Sequence, residues 1–169
     1  LHPRVRRQRQ MCIRDRRSGV NMEAATVAAL SHDCPNIIAV KEASGRFDQA
    51  TAILKSKRAD FAALSGEDAL LLPLMSLGFE GVISVIANVL PNDYACLVKS
   101  ALQGDYPTAR RIHLDRAELC KALFEEGNPA GIKAALHAAG IIRQNTLRLP
   151  LTPVSDALYN KIIGLLKLH

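Results

Sequence analysis

The 169-residue sequence contains few aromatic residues, no tryptophan and no long apolar run. Because 49% of the chain is apolar while only 4% is aromatic, a folded core would be built from Leu, Ile, Val and Ala. The apolar runs are shorter than the roughly 20 residues that a membrane helix requires. The Arg-rich amino terminus also lacks the apolar stretch of a signal peptide. We therefore expect a globular, cytoplasmic protein without a membrane segment.

The sequence also lacks paired cysteines and metal-ligand spacing. Its four cysteines are scattered and form no C-x-x-C pair, at Cys12, Cys34, Cys96 and Cys120. None of the five histidines has metal-ligand spacing to a Cys, Asp or Glu. These absences indicate reduced thiols and predict that the protein binds no metal.

The positive charge is concentrated at the amino terminus. Residues 1–17 contain seven arginines and one acid, so they carry the whole net charge of +6 and the remainder is neutral. The string RRQRQMCIRDR at 6–16 reads as an in-frame translation of the transposon adapter used in DNA library preparation. We therefore assign residues 1–16 to adapter sequence and not to the native protein. The alternative is a basic arm for nucleic acid or membrane, but we expect neither partner.

From residue 21 onward, helical and strand patterns alternate. Asn21 can cap a helix that reaches Leu30. Short apolar runs at 37–40, 61–64 and 81–87 are separated by helical stretches at about 46–57 and 67–77, and a further helix starts at Pro91. Buried strands separated by helices are typical of parallel βαβ units. Both a doubly wound sheet and a (β/α)8 barrel fit this pattern.

No strand is predicted after residue 104. One long helix is expected from Asp105 to about Glu125, and Asn128-Pro129 is expected to open another as a cap followed by a first-turn proline. After an extended, Pro-containing connector at 147–154, Ser155 caps the last helix. We therefore divide the chain into an α/β segment at 17–104 and a helical domain at 105–169.

The loop that follows the first strand contains a candidate catalytic residue. Active sites of parallel α/β folds lie where the carboxyl ends of strands run into loops. Lys41 directly follows the first apolar run, and alternation places it on the same side of the strand as Ala39. Inside a barrel, a desolvated lysine can be neutral and attack a ketone to form an imine. The spacing alone, however, favours an ordinary lysine that ends a strand and points to solvent.

The second loop, SGED at 65–68, has an ordinary interpretation as a helix start. Ser65 would cap the helix, and Glu67 and Asp68 would complement its dipole. Gly66 could also let the backbone approach a small ligand.

Three other polar residues, Arg17, Lys133 and His137, have side chains that could bind a substrate. Arg17 could bind a carboxylate through a bidentate pair. Lys133 and His137 lie one turn apart, and we interpret them as part of a solvated helix face.

Five strings resemble the dihydrodipicolinate synthase family in order and spacing. They are VKEASG at 40–45, LSGEDA at 64–69, GVISVIAN at 81–88, KALFEEGNPAGIKAAL at 121–136 and LRLPLTPVS at 147–155. The resemblance extends over residues 17–169. It implies an α/β fold consisting of the last three β/α units of a (β/α)8 TIM barrel, followed by a C-terminal helical domain.

The resemblance also implies a chemistry and overrides the ordinary interpretation of Lys41. Lys41 would form a Schiff base with pyruvate, Arg17 would bind the carboxylate of the second substrate, and Gly66 and Ile83 would line the pyruvate pocket. In the family, the pyruvate enamine adds to aspartate semialdehyde and the product cyclises to 4-hydroxy-tetrahydrodipicolinate, on the route to lysine and diaminopimelate. The resemblance implies small-molecule substrates, no cofactor besides the imine, and a homotetrameric parent.

The chain departs from the family at its amino-terminal side. The family's proton-relaying tyrosine would fall at Cys12, and its Gly-Thr-Thr-Gly-Glu pyruvate loop has no counterpart. Because a (β/α)8 barrel usually needs about 250 residues, we expect an inactive carboxyl-terminal half of an active lyase. The alternatives are another pyruvate-dependent aldolase (N-acetylneuraminate lyase or a 2-keto-3-deoxy sugar acid aldolase) and a non-catalytic fragment. Arg17 favours the synthase over N-acetylneuraminate lyase.

Overall fold

The computed structural model describes residues 21–166, in which three short strands alternate with helices and a run of helices follows. In chain order the elements are α1 (Ala24–Asp33), β1 (Ala39–Glu42), α2 (Phe47–Ser56), β2 (Ala62–Ser65), α3 (Leu71–Leu77), β3 (Gly81–Val82), α4 (Pro91–Leu102), α5 (Tyr106–Asp115), α6 (Ala117–Glu125), α7 (Ala130–Ala138) and α8 (Asp156–Leu166). Single 3₁₀ turns precede α3, at Asp68–Leu70, and α4, at Ile86–Asn88. The predicted α/β class is confirmed.

The strands form one parallel sheet in the order β1-β2-β3. Lys41 lies opposite Leu64, which in turn lies opposite Gly81. Because every crossover contains a helix and all strands are parallel, the three loops at the carboxyl ends of the strands lie at one edge of the sheet. The helix-separated apolar runs predicted this arrangement.

Helices α2 and α3 cover one face of the sheet. Ala63 of β2 packs with Ala50 of α2 and with Leu74 of α3 and Phe79, and Val40 of β1 contacts the same cluster. Successive side chains of a strand point to opposite faces, so Lys41 and Leu64 lie on the face away from these helices. Both residues are half-buried.

The main apolar core joins the α/β part to the carboxyl-terminal helices. One continuous cluster of buried side chains includes Leu71, Ile86, Leu97, Leu123 and Ile162. The proposed boundary between residues 104 and 105 therefore lies within a shared core, and it stays a prediction. No helix between residues 21 and 166 is long and apolar enough to cross a membrane.

The predicted long helix over 105–125 is wrong, because the chain forms two helices that meet at Arg116. The backbone of Arg116 stays in the right-handed region but departs from ideal α-helical angles, with φ −101° and ψ −2°. Its guanidinium reaches α4, where Nε donates to Oδ2 of Asp93 at 2.6 Å. The apolar periodicity continues across the junction, so the sequence pattern did not indicate the break.

The predicted third strand at 81–87 is too long. Only Gly81 and Val82 pair with β2, and the chain then turns into the 3₁₀ segment Ile86–Asn88. The first predicted helix also starts later than expected, with Glu23 and not Asn21 at the N-cap position. Asn21 instead donates from Nδ2 to Glu23 Oε1 and Gln49 Oε1, at 2.7 and 2.8 Å.

The helix starts in the carboxyl-terminal part were predicted in part. Ser155 caps α8 as expected, because the backbone N–H of Leu158 donates to its Oγ at 3.2 Å. Pro129 occupies the N-cap position of α7 and does not lie in its first turn.

The solvated face predicted for Lys133 and His137 is found only in part, because both residues are half-buried and bonded within the fold, although the bond of Lys133 is exposed. Lys133 Nζ donates to the carbonyl oxygen of Thr146. His137 Nδ1 lies 2.6 Å from the hydroxyl oxygen of Tyr159 on α8.

Candidate active site

The candidate site lies where the three strands end, in a set of loops that we call the rim (residues 41–45, 65–68 and 83–88). Hydrogen bonds extend the sheet into these loops. The N–H of Gly66 donates to the carbonyl oxygen of Glu42 at 2.7 Å, and the N–H of Ile83 donates to that of Ser65 at 2.8 Å. The rim is therefore a continuation of the sheet, and its residues keep the alternation of the strands.

Three of the predicted site residues share one face of this sheet. Lys41 and Leu64 are paired in register, and Gly66 and Ile83 each lie two residues beyond a strand position on the same face. The structure thus brings together Lys41, Gly66 and Ile83 on the side not covered by α2 and α3. Arg17 and Cys12 lie outside the described residues.

Gly66 and Lys41 are in close contact. A Cβ on Gly66 would lie 2.4 Å from Cβ of Ala43, 2.8 Å from Cε of Lys41 and 3.1 Å from the carbonyl oxygen of Glu42. Real Cβ atoms do not approach heavy atoms within 3.0 Å. Only glycine therefore leaves room at this position for the lysine stem. The sequence predicted that this glycine lets the backbone approach a small ligand, and this stays a prediction. The close contact in the structure is with the side chain of Lys41.

Glu42 anchors the first rim loop from the other face of β1, and sequence reasoning missed it. Its side chain is 2% exposed. Oε1 accepts the backbone N–H of Ser44 at 2.7 Å, and Oε2 accepts Nε2 of Gln49 on α2 at 2.9 Å. A buried carboxylate needs such donors to offset its lost hydration. Because Glu42 directly follows Lys41, these bonds fix the backbone that carries the lysine.

Asp68 differs from its sequence interpretation. Ser65 does not cap the helix as predicted, because the N-cap position of the 3₁₀ segment is Glu67. The Oγ of Ser65 accepts the N–H of Glu67 at 3.2 Å, within the loop before that segment. Asp68 does lie in the first turn of the 3₁₀ segment, but it is only 3% exposed and bonds to a different loop. Its Oδ2 accepts the backbone N–H groups of Val85 and Ile86 at 2.9 and 3.2 Å. Asp68 therefore links the second rim loop to the third.

No grouping of three or more His, Cys, Asp or Glu side chains within the described part of the chain could hold a metal ion. The chemistry that this geometry can support is that of the lysine amine. The carbonyl oxygens of Glu42 and Ser65 are already used by the rim hydrogen bonds. A ligand on this face would instead meet the side chains of Lys41, Leu64 and Ile83.

The sequence model of the dihydrodipicolinate synthetase family matches residues 12–168. The chain belongs to this family. The match begins at residue 12, so it includes residues 12–16 of the string that we assign to adapter. Family membership agrees with the resemblance carried by the five sequence strings.

Relatives in this family are about half identical to the chain over the aligned region. The 4-hydroxy-tetrahydrodipicolinate synthase of Azobacteroides pseudotrichonymphae is 50% identical over 146 residues, which cover 86% of this chain and 49% of the relative. That of Parabacteroides distasonis is 48% identical over 151 residues, which cover 89% of this chain and 50% of the relative. The chain therefore spans about half the length of the curated relatives it matches.

Solved structures of the family share the fold of the chain. Dihydrodipicolinate synthase from Aquifex aeolicus superposes with a TM-score of 0.84 at 40% identity, over 88% of this chain and 50% of that one. A monomeric dihydrodipicolinate synthase variant gives 0.85 at 36% identity, with the same two coverages of 88% and 50%. The chloride-inhibited synthase from Acinetobacter baumannii was solved in complex with pyruvate. It superposes with a TM-score of 0.82 at 34% identity, over 88% of this chain and 50% of that one.

Proposed function

We propose that this chain is the carboxyl-terminal half of a 4-hydroxy-tetrahydrodipicolinate synthase. Its three strands would be the last three strands of a (β/α)8 barrel at 17–104, and residues 105–169 would form the helical domain. Two findings support this proposal: several relatives of this name are 45–50% identical to the chain over the aligned residues, and the chain covers about half of their length. The intact enzyme would be a cytoplasmic homotetramer that uses no cofactor.

The position of Lys41 is the observation that carries the proposed chemistry. The lysine lies at the carboxyl end of a parallel strand, on the face away from the helices and against Gly66. In the complete barrel this face would point into the interior, where the amine is shielded from water and can act as a nucleophile. The pyruvate-bound relative supports an α-keto acid as the ligand of this pocket.

The proposed reaction starts with attack of the neutral Lys41 amine on the ketone carbon of pyruvate. Loss of water gives an imine, which withdraws electrons from the adjacent methyl carbon and lets it lose a proton. The resulting enamine carbon forms a bond to the aldehyde carbon of aspartate semialdehyde. The amino group of that substrate then attacks the imine carbon, closes the ring and releases the lysine amine.

The other site residues would hold the two substrates. Gly66 leaves room for the lysine stem, and Ile83 forms a wall of the pyruvate pocket on the same face. Arg17 would pair with the carboxylate of aspartate semialdehyde. We propose that the 169-residue chain alone is inactive, because Lys41 and Ile83 are only half-buried on a face that lacks the strands needed to enclose it.

The test uses the protein completed by the amino-terminal half encoded in its source gene. This protein is incubated with pyruvate and borohydride, and peptide mass spectrometry then locates the reduced pyruvate adduct. We expect the adduct on Lys41 and none in Lys41→Arg. Lys99→Arg, which changes an exposed lysine on α4, should leave it unchanged. A folded, completed protein that forms no adduct on Lys41 would contradict the proposal.

A further inference from the structure

Asp68 is a buried carboxylate for which the proposed reaction has no role. It is 3% exposed and belongs to the second rim loop, and its Oδ2 accepts two backbone N–H groups of the third rim loop. Its other oxygen, Oδ1, is buried and has no hydrogen-bond partner among the described residues. A carboxylate held in this way has lost much of its hydration, and the two bonds to Val85 and Ile86 offset that loss only in part.

Asp68 acts on two buried side chains, Cys120 and Tyr94. Burial raises the pKa of the Cys120 thiol to about 12, and the charge of Asp68 acts in the same direction. Burial also raises the pKa of Tyr94, which is 3% exposed, and Asp68 again adds to the effect. The charge of the Asp68 carboxylate therefore affects the pKa of both Cys120 and Tyr94. Breaking the hydrogen bonds of a buried carboxylate costs free energy. Asp68 can therefore hold the N–H groups of Val85 and Ile86 in place.

The bonds of Asp68 restrain the segment that carries Ile83. This segment is held at two points. The N–H of Ile83 donates to the carbonyl oxygen of Ser65 in β2, and the N–H groups of Val85 and Ile86 donate to Asp68 in the second rim loop. Gly66, which contacts the Lys41 stem, lies between Ser65 and Asp68 in the chain. The same short loop thus fixes Ile83 relative to Lys41.

We propose that Asp68 is a positioning residue that sets the third rim loop, and with it the Ile83 wall of the α-keto acid pocket. The role in the pocket rests on the proposed function, whereas the restraint of the loop does not. Asp68 itself touches no substrate. Its loss should weaken pyruvate binding in the ground state and the transition state alike, which raises KM and leaves kcat nearly unchanged.

The first experiment measures backbone hydrogen exchange in the 169-residue chain by mass spectrometry. In Asp68→Asn, we expect faster exchange in peptides that contain residues 83–88 and unchanged exchange in peptides from α5 to α8. Glu67→Gln removes a neighbouring charge that makes no bond to the third loop, and it should leave residues 83–88 unchanged. Three results would overturn the proposal: unprotected 83–88 amides in the parent chain, equal protection in Asp68→Asn, or loss of protection throughout the variant.

The second experiment measures pyruvate-dependent trapping by borohydride in the completed protein. We expect Asp68→Asn to need about tenfold more pyruvate for half-maximal adduct, the effect expected from losing hydrogen bonds to a charged group. An unchanged pyruvate requirement would overturn the role in the pocket. If the parent protein forms no adduct, the proposed function fails, and the exchange experiment still decides whether Asp68 holds the loop.

Discussion

A Cβ atom on Gly66 would lie 2.8 Å from Cε of Lys41, so the two residues occupy complementary space. The contact joins neighbouring strands at the edge of the sheet where the rim begins. It restricts where the lysine stem can run. Together with Ala43, whose Cβ would lie 2.4 Å from the added atom, it requires glycine at this position of the second rim loop. The geometry of the lysine therefore depends on a residue that has no side chain.

We expect Gly66→Ala to prevent adduct formation in the completed protein. The new methyl group would also lie 2.4 Å from Cβ of Ala43, so the rim must shift or the lysine must move. Overpacking of this kind costs about 1–3 kcal/mol of stability. The measurements are borohydride trapping with pyruvate and the melting temperature. A variant that forms the Lys41 adduct as fully as the parent protein would show that the contact is dispensable.

Gly164→Ala is the matched control for this substitution. Gly164 lies in α8 with nothing within 4 Å of an added Cβ. Alanine in the interior of a helix is favoured over glycine by roughly 0.5–1 kcal/mol. We therefore expect this variant to be slightly more stable than the parent protein and to form the adduct normally.

The alternating order of strands and helices could be predicted from the sequence, and so could the lysine at the end of the first strand, whereas the third strand was predicted too long. Apolar runs separated by helical stretches predicted a parallel sheet, and alternation within the first run placed Lys41 on the same side of the strand as Ala39. These predictions succeeded because they depend on local sequence patterns, in which apolar side chains recur every two residues in a strand and every 3.6 residues in a helix. The pairing of Lys41 with Leu64 follows from the same periods once the strands are parallel.

The contacts of Asp68 and Arg116 could not be predicted, because their partners are distant in sequence. Asp68 binds amides 17 and 18 residues away, and Arg116 binds Asp93 at a separation of 23 residues. Every residue except proline has a backbone N–H, so the sequence does not indicate which of these groups a side chain binds. The sequence therefore predicted only that Asp68 lies at the start of a helix, and it placed residue 116 in the middle of one long helix.

A second close contact, at Gly131, should control the packing of α6 against α7. A Cβ on Gly131 would lie 2.1 Å from the carbonyl oxygen of Leu123, and this obstacle is backbone and not a flexible side chain. We expect Gly131→Ala to lower the free energy of unfolding by about 1–3 kcal/mol or more, because the two helices must move apart. Urea denaturation of the 169-residue chain measures the change. Equal stability of Gly131→Ala and Gly164→Ala would contradict the argument.

The bond between Glu42 and Gln49 should contribute measurably to stability. Oε2 of Glu42 accepts from Nε2 of Gln49 at 2.9 Å, and both side chains are buried. Glu42→Ala leaves the Ser44 amide and the Gln49 amide without this acceptor, which costs about 1–3 kcal/mol. A double-mutant cycle with Gln49→Ala should give a coupling of about 0.5–3 kcal/mol. The control cycle pairs Glu42→Ala with the exposed and distant Gln103→Ala, for which additivity is expected. Similar couplings in the two cycles would indicate that the measured effect is not specific to the bond.

Glu126 should make the attachment of α8 depend on acid pH. Its Oε1 accepts the Ser155 hydroxyl at 2.5 Å, and its Oε2 accepts the Ser155 N–H at 2.7 Å. These two bonds, the hydroxyl first, hold the pKa of the Glu126 carboxyl below its ordinary value of 4.5. A carboxyl whose pKa is lower in the folded state contributes stability that is complete above the unfolded pKa. This contribution is lost as the pH falls through the folded value.

We therefore expect Glu126→Gln to lower the melting temperature of the chain at neutral pH. The difference between the variant and the parent protein should shrink as the pH falls below 4.5. In a Ser155→Ala background, which removes the hydroxyl donor, the same substitution should have a smaller effect at neutral pH. Thermal unfolding across the acid range measures both trends. A difference that stays constant with pH would show that Glu126 acts on α8 through packing and not through its charge.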